Sequence, residues 1–271
     1  MYNEEIPYMI ESIDELPPEG KRDNWYISFG LQAVDGLAPS EYIRGLAENN
    51  ISGDKTYAQV ADMIEEYYSG KNADEIDEGE READIVSLHM SLVLAEKAFT
   101  YSPVALCGIH RRLFTGVFVP ELPVGEYRSY NISKAERVLS GESVLYSSAD
   151  MIRETLAYDF ENEKKYDYAA VTTEEQAFHM MGFISGIWQI HPFAEGNTRT
   201  CAVFAIQYLR SLGFSVDNEP FCKHSQYFRD ALVLDNCGRN KKPDYLKVFT
   251  ENLLLGGGHE LGGEIPAIAP G

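Results

Sequence analysis

Two stretches carry apolar residues at helical spacing: Ala177, Met180, Met181, Ile184, Ile187 and Trp188 in one, and Val203, Phe204, Ile206 and Leu209 in the other. Between them lies a polar segment, Gln189-Ile-His-Pro-Phe-Ala-Glu-Gly-Asn-Thr-Arg-Thr200. Helical faces of this kind are buried against other elements, and the segment joining them is drawn inward with them. A buried polar group without a partner costs about 1–3 kcal/mol. His191, Glu195, Asn197 and Arg199 therefore need something to bind.

The segment has the parts of an anion site. Pro192 ends the first helix, and Gly196 permits close backbone approach where the next begins. The N–H groups of a helix's first turn lack helical acceptors and face an anion favourably. Asn197 can add a side-chain hydrogen bond, and Arg199 a charge-assisted fork. Glu195 beside an anion is explained if Mg²⁺ bridges carboxylate and phosphates. His191 sits at the mouth with a side chain suited to general-base work. Base, metal ligand, anion nest and arginine within nine residues point to phosphoryl or nucleotidyl transfer.

Composition bounds the alternatives. The 271 residues are 44% hydrophobic, enough for a real core. The net charge of -20 disfavours nucleic-acid binding, which needs Lys and Arg to displace counterions. Residues 1–82 hold 20 acidic and 6 basic residues, so most of the excess lies in the first third. The N-terminal sequence MYNEEIPYMI lacks the pattern of a secretory signal, and no run of about 18 apolar residues could span a membrane. Cys107, Cys201, Cys222 and Cys237 form no C-x-x-C pair and read as reduced thiols. The expected location is cytoplasmic.

Helical spacing dominates the chain. The first 25 residues, with Pro17-Pro18 and Gly20, read as an irregular lead-in. Helices are expected from Ser40, across 57–67, over 83–99 and 104–114, and at about 148–164, 173–190, 197–212, 224–236 and 243–255. Thr172 with Glu175 makes a capping box. The apolar runs of 137–146 flanking Ser140-Gly141 suggest the one hairpin. Three parts follow: an acidic helical segment 1–82 that could regulate, a main domain 83–255, and a flexible tail 256–271. The acidic run 74–82 reads first as a solvated helix start, with an inhibitory role as the alternative. His110, beside two arginines, reads as structural, and His89 and His179 as core.

His191-Pro-Phe-Ala-Glu-Gly-Asn-Thr-Arg199 resembles the H-x-F-x-[D/E]-G-N-x-R signature of Fic-domain proteins. Ile109-His-Arg-Arg-Leu-Phe114, Gly125-Glu-Tyr-Arg128 and the long helix entering the motif agree with it, over about residues 80–255. The resemblance implies an all-α fold with one short β-hairpin flap, and transfer of AMP from ATP to a hydroxyl of a target protein. In that scheme His191 is the base, Phe193 anchors the loop, and Glu195 holds Mg²⁺. Gly196, Asn197 and Thr198 surround the phosphates, Arg199 grips the outer ones, and Tyr227 lies near the adenine. The flap would register the target by strand addition, and a homo-oligomer is left open.

The sequence departs from the fuller signature, which has Gly where Thr198 stands and a second Arg where Ala202 stands. Relatives that phosphorylate their target carry Lys near position 198, so Thr198 favours nucleotidylation. Many relatives also place an inhibitory glutamate, in [S/T]-x-x-x-E-[G/N], against the nucleotide site. Glu78-Gly79 and Glu48-Asn49 are the two candidates here, each an incomplete match. The helical stretch 40–68 resembles the antitoxin-like modules that accompany some Fic domains. Two other readings stand beside adenylyltransfer: a degenerate Fic fold kept as a binding or toxin-neutralising module, and transfer of another phosphate-bearing group. An exposed tyrosine could accept AMP as a self-modification site.

Overall fold

The computed structural model describes residues 13–262 and 264–268. Among these every regular element is helical and no strand forms. Helix α1 runs Pro18–Gln32, inside the stretch expected to be irregular. Pro18 is its first residue, where a missing N–H costs nothing because no helical carbonyl needs it. Residues 1–12 of the expected lead-in lie outside the described residues. Helices α2 (Glu41–Ser52) and α3 (Tyr57–Ser69) follow, capped by Ser40 and by a Thr56–Gln59 capping box.

Helix α4 (Glu78–Ala95) starts at Asp77, whose side chain accepts from Glu80 N–H. It has two buried faces. Val86, Met90, Val93 and Leu94 join the main core, whereas Leu88 and Ala95 join a smaller core with Trp25, Ile43, Val60 and Ile64. Helix α1 divides in the same way, giving Ile27 and Leu31 to the main core and Trp25 and Phe29 to the smaller one. Residue 82, where the acidic third ends, is inside α4. The acidic segment is therefore packed on the rest through two shared helices.

The main core is built by α5 (Pro103–Phe114), α6 (Ile152–Glu163), α7 (Thr173–Ile190) and α8 (Asn197–Ser211), closed by α9 (Glu219–Lys223), α10 (Ser225–Asp235) and α11 (Asp244–Leu254). Helix α8 is buried all round from Asn197 to Leu209, so its N-terminus opens inside the molecule.

The expected hairpin at 137–146 is corrected. Glu136 N–H donates to Glu142 O and Gly141 N–H back to Glu136 O, and Ser140 and Gly141 make a turn at positive φ. The flanks do not extend as a ladder. Val138 and Leu139 are neighbours and both are buried, in a short 3₁₀ turn, whereas strand residues would alternate between faces.

The expected flexible tail also takes another form over its described part. Leu261 and Ile265 are buried, and Ile268 N–H donates to Val138 O at 2.8 Å. Residues 263 and 269–271 lie outside the described set. Among the described residues no helix is long and apolar enough to cross a membrane.

Candidate active site

Helix α7 ends at His191, which adopts the left-handed conformation (φ 51°, ψ 60°) usually left to glycine or asparagine. Such a conformation costs about 1–3 kcal/mol and persists only where surroundings impose it. Arg128 does much of the imposing. Its backbone N–H donates to Pro192 O, its Nε to His191 O, its Nη1 to Tyr130 O, and its Nη2 to both Ser147 O and Ile190 O. One buried side chain thus fixes the turn carrying His191 to the loop opposite.

The His191 ring is buried, with Tyr146 over it at 4.2 Å and Trp188 edge-on at 5.3 Å. Nδ1 lies 3.1 Å from Trp188 O, an atom that only accepts, so Nδ1 carries the proton and Nε2 keeps a lone pair. Burial pushes the imidazole pKa down to about 3, helped by Lys134, Arg229 and Arg128 against the opposing Trp188 carbonyl. His191 is neutral near pH 7 and able to accept a proton.

After the turn, Phe193 is fully buried and stacks on His110 at 3.9 Å. His110 accepts from Gly125 N–H on Nδ1 and so donates from Nε2 to Glu195 O, at 2.8 and 3.0 Å. This neutral form suits its pKa, lowered by burial to about 4. Gly196 caps α8 at φ 72°, and a Cβ there would lie 2.4 Å from the Phe114 ring. Only glycine lets the chain turn this close. The N–H groups of Asn197, Thr198 and Arg199, at the first turn of α8, have no acceptor within the helix.

Arg199 is 1% exposed and lies over the Phe114 ring. Its Nη2 donates to Glu82 at 2.6 Å and its Nη1 to Gln32 at 3.1 Å. Its Nε lies 2.8 Å from Asp35 Oδ2, close enough for ion pairing but not aligned as a hydrogen bond. All three partners come from the acidic N-terminal third.

Residues 100–209 match the Fic/DOC family. This segment is of the Fic/DOC type. The fold of the chain is similar to the N-terminal Fic domain of a Bartonella effector protein from Bartonella sp. AR 15-3, at 19% identity and a TM-score of 0.53, covering 68% of this chain and 86% of that one. A VirB-translocated Bep effector protein from Bartonella quintana gives 18%, 0.51, 68% and 87%. A Fic family protein from Desulfovibrio desulfuricans G20 gives 17% and 0.55, covering 87% of this chain and 63% of that one. At these identities the likeness is one of fold. No curated protein matches the chain significantly.

Several side chains of the Fic loop lie elsewhere than expected. Asn197 does not reach outward: its amide accepts from Phe193 N–H and donates to Phe193 O, both at 2.9 Å, which closes the loop. Thr198 Oγ1 accepts from the Trp188 indole N–H at 2.9 Å, so threonine satisfies a buried donor that glycine would leave unpaired. The Asn197 amide and Thr198 Oγ1 are thus engaged within the protein, and the backbone N–H groups at this turn have no acceptor in their own helix. Tyr227 is buried among Tyr245 and Phe249, because the helical phase of α10 turns Gln226, Arg229 and Asp230 to the cavity instead.

The two candidate inhibitory glutamates are corrected in the same way. Glu78 pairs with Arg81 on the surface of α4, and Glu48 accepts from Tyr26 on an exposed face of α2. Neither lines the cavity. The glutamate on Arg199 is Glu82, one turn beyond Glu78 and on the face that continues to Val86 and Met90. That phase is the signal the sequence offers: a carboxylate on the N-terminal extension of a buried stripe. Gln32 and Asp35 have no such signal, since α1 itself falls in the expected irregular lead-in or just beyond it.

Arg199 opens into a cavity of about 550 Å³, also lined by Asp35, Glu82, Glu195 and Arg229. Glu195 stands at its rim, partly exposed, with Oε1 3.8 Å from Lys134 Nζ and accepting from Gly196 N–H. Among the described residues no group of three or more His, Cys, Asp or Glu could enclose a metal. A single rim carboxylate fits Mg²⁺, which is held by one or two carboxylates with substrate phosphates and water.

Proposed function

We propose that this protein is a Mg²⁺-dependent protein adenylyltransferase, held closed by its acidic N-terminal third. The observation that carries the reading is a neutral histidine with a free Nε2 lone pair, placed at the C-cap of one buried helix, in the short loop that leads to the open N-terminus of the next. ATP would lie with its phosphates at the first turn of α8, against the backbone N–H groups of Asn197, Thr198 and Arg199. His191 takes the proton from the target hydroxyl as its oxygen attacks the α-phosphorus. The bond to the bridging oxygen breaks, AMP stays on the target and pyrophosphate leaves toward Arg199.

Glu195 would hold Mg²⁺, whose chemistry there is to neutralise charge on the α- and β-phosphates. The target segment would dock along the 134–146 loop, beside Tyr146 and His191. Glu82 and Asp35 occupy anion positions on Arg199, which supports autoinhibition: triphosphate and carboxylates compete for one guanidinium. The helix N-terminus favours nucleotidyl transfer over a degenerate binding module, because its donors point inward with no acceptor in their own helix.

The test is incubation with Mg²⁺ and ATP labelled on the α- or γ-phosphorus. Protein should take up α-label, more strongly after D35N/E82Q, and H191A should abolish it. Uptake of γ-label alone, or α-label surviving H191A, sinks the reading.

A further inference from the structure

Arg199 is not the only guanidinium in the cavity. The fuller Fic signature has a second arginine at position 202, but Ala202 is fully buried in the main core. Arg229, on α10, lines the same cavity. Its Nη2 donates to both oxygens of Glu136, at 3.0 and 3.1 Å, and its Nη1 lies 3.5 Å from Asp35 Oδ1. Asp35 therefore bridges two guanidiniums, Oδ2 to Arg199 and Oδ1 to Arg229.

We propose that Arg229 is the second phosphate-binding arginine of this protein, supplied from α10 in place of the one absent at 202. Asp35 then occupies the position of the terminal phosphate of a nucleoside triphosphate. The inference rests on the nucleotide reading above and adds to it a subsite that the loop motif does not contain.

Three features carry it. A carboxylate with one oxygen on each guanidinium shows that the two arginines stand at a separation one small oxyanion can bridge. A tetrahedral phosphate has the same bridging capacity and more charge. Second, Arg199 Nε and Asp35 Oδ2 are buried atoms without an aligned hydrogen bond, so Asp35 fills this place imperfectly. A buried guanidinium N–H left in that state favours an incoming acceptor.

Third, Glu136 fixes Arg229 without consuming its useful edge. It takes Nη2, while Nη1 is left to Asp35, itself a cavity-lining residue. Burial disfavours the charge of Arg229, but Glu136 and Asp35 more than offset it and leave the pKa raised. Arg229 stays cationic, oriented and able to exchange Asp35 for phosphate. Glu136 is itself held by Tyr146, the residue covering His191.

The experiment measures binding of ATP and of AMP, each with Mg²⁺, by calorimetry on the full chain. The parent is D35N, which removes the competing carboxylate. R229K keeps the charge but not the fork. R229Q/E136Q removes the guanidinium and its buried counter-charge together, so that no unpaired carboxylate is left to unfold the protein. ATP affinity should fall at least about tenfold in R229Q/E136Q, equal to about 1.4 kcal/mol, and by less in R229K. AMP affinity should stay within about twofold in both.

Unchanged ATP affinity, or equal losses for ATP and AMP, overturns the subsite, the second result meaning that Arg229 acts only on the fold. A D35N parent that binds neither nucleotide overturns the subsite and the nucleotide reading together. Selective ATP loss without α-label ever entering protein leaves the subsite standing and removes the transferase reading.

Discussion

Replacing Glu82 by glutamine should weaken the fold and tighten nucleotide binding at once. Glu82 contacts Arg199 Nη2 at 2.6 Å, with 21% of the glutamate side chain and 1% of the arginine exposed. Hydrogen bonds between charged groups in such surroundings contribute about 1.5–3 kcal/mol. If ATP must displace this contact, its apparent affinity is reduced by the fraction of molecules with Arg199 released. Removing the charge should then lower the ATP Kd by about 5- to 30-fold, the equivalent of the part of the contact that is lost. The ligand-free protein loses part of the same interaction, about 1–2 kcal/mol, because the introduced amide can still accept and Asp35 remains. That corresponds to a Tm lower by about 2–6 °C in a chain of this size. Calorimetric titration with ATP and a thermal melt measure the two quantities. E78Q is the internal control: Glu78 pairs with Arg81 at the surface, away from the cavity, and should alter neither. Loss of stability without tighter ATP binding would refute the competition, leaving Glu82 a purely structural partner.

Two further predictions follow from buried groups. His191, with a folded pKa near 3 against an ordinary 6.5, is protonated more readily in the unfolded chain between those values. Its contribution to stability is therefore complete above about pH 6.5 and is lost as pH falls toward 3. Nitrogen-shift NMR of the imidazole should show one neutral, Nδ1-protonated ring from pH 8 to 5, and titration near 6.5 would contradict the buried geometry. T198V keeps the shape of Thr198 but removes the acceptor of the Trp188 indole, so urea unfolding should register a loss of about 1–3 kcal/mol. T198S should lose less than T198V, and equal losses would mean that the hydrogen bond is not the cause.

Most helices are legible from sequence because their signals are local. Ser40, Thr172 with Glu175, and Pro103 act within one turn, and the expected α7 and α11 agree with the observed spans within a residue or so. The errors have physical causes too. Pro17-Pro18 reads as a break, yet a proline at the first helical position is tolerated, and missing α1 also hides Gln32 and Asp35. The 137–146 segment has strand-like residues, but packing under the tail and over α10 selects a 3₁₀ turn. Tyr227 and Arg229 are two residues apart, and only helical phase decides which of them faces the core.

The sequence by itself determined the motif loop and its place between two buried helices. His191, Pro192, Gly196 and the apolar stripes of α7 and α8 act within a few residues of one another, and local rules read them. Only the tertiary structure decided what Arg199 touches. Asp35 and Glu82 are distant from it in the chain and follow no fixed spacing, since they arrive through the packing of α1 and α4 on α8. The same packing brings Arg229 within reach of Asp35. An ion pair is selected by where folded surfaces meet, and a buried arginine must find its counter-charge there, whichever part of the chain supplies it.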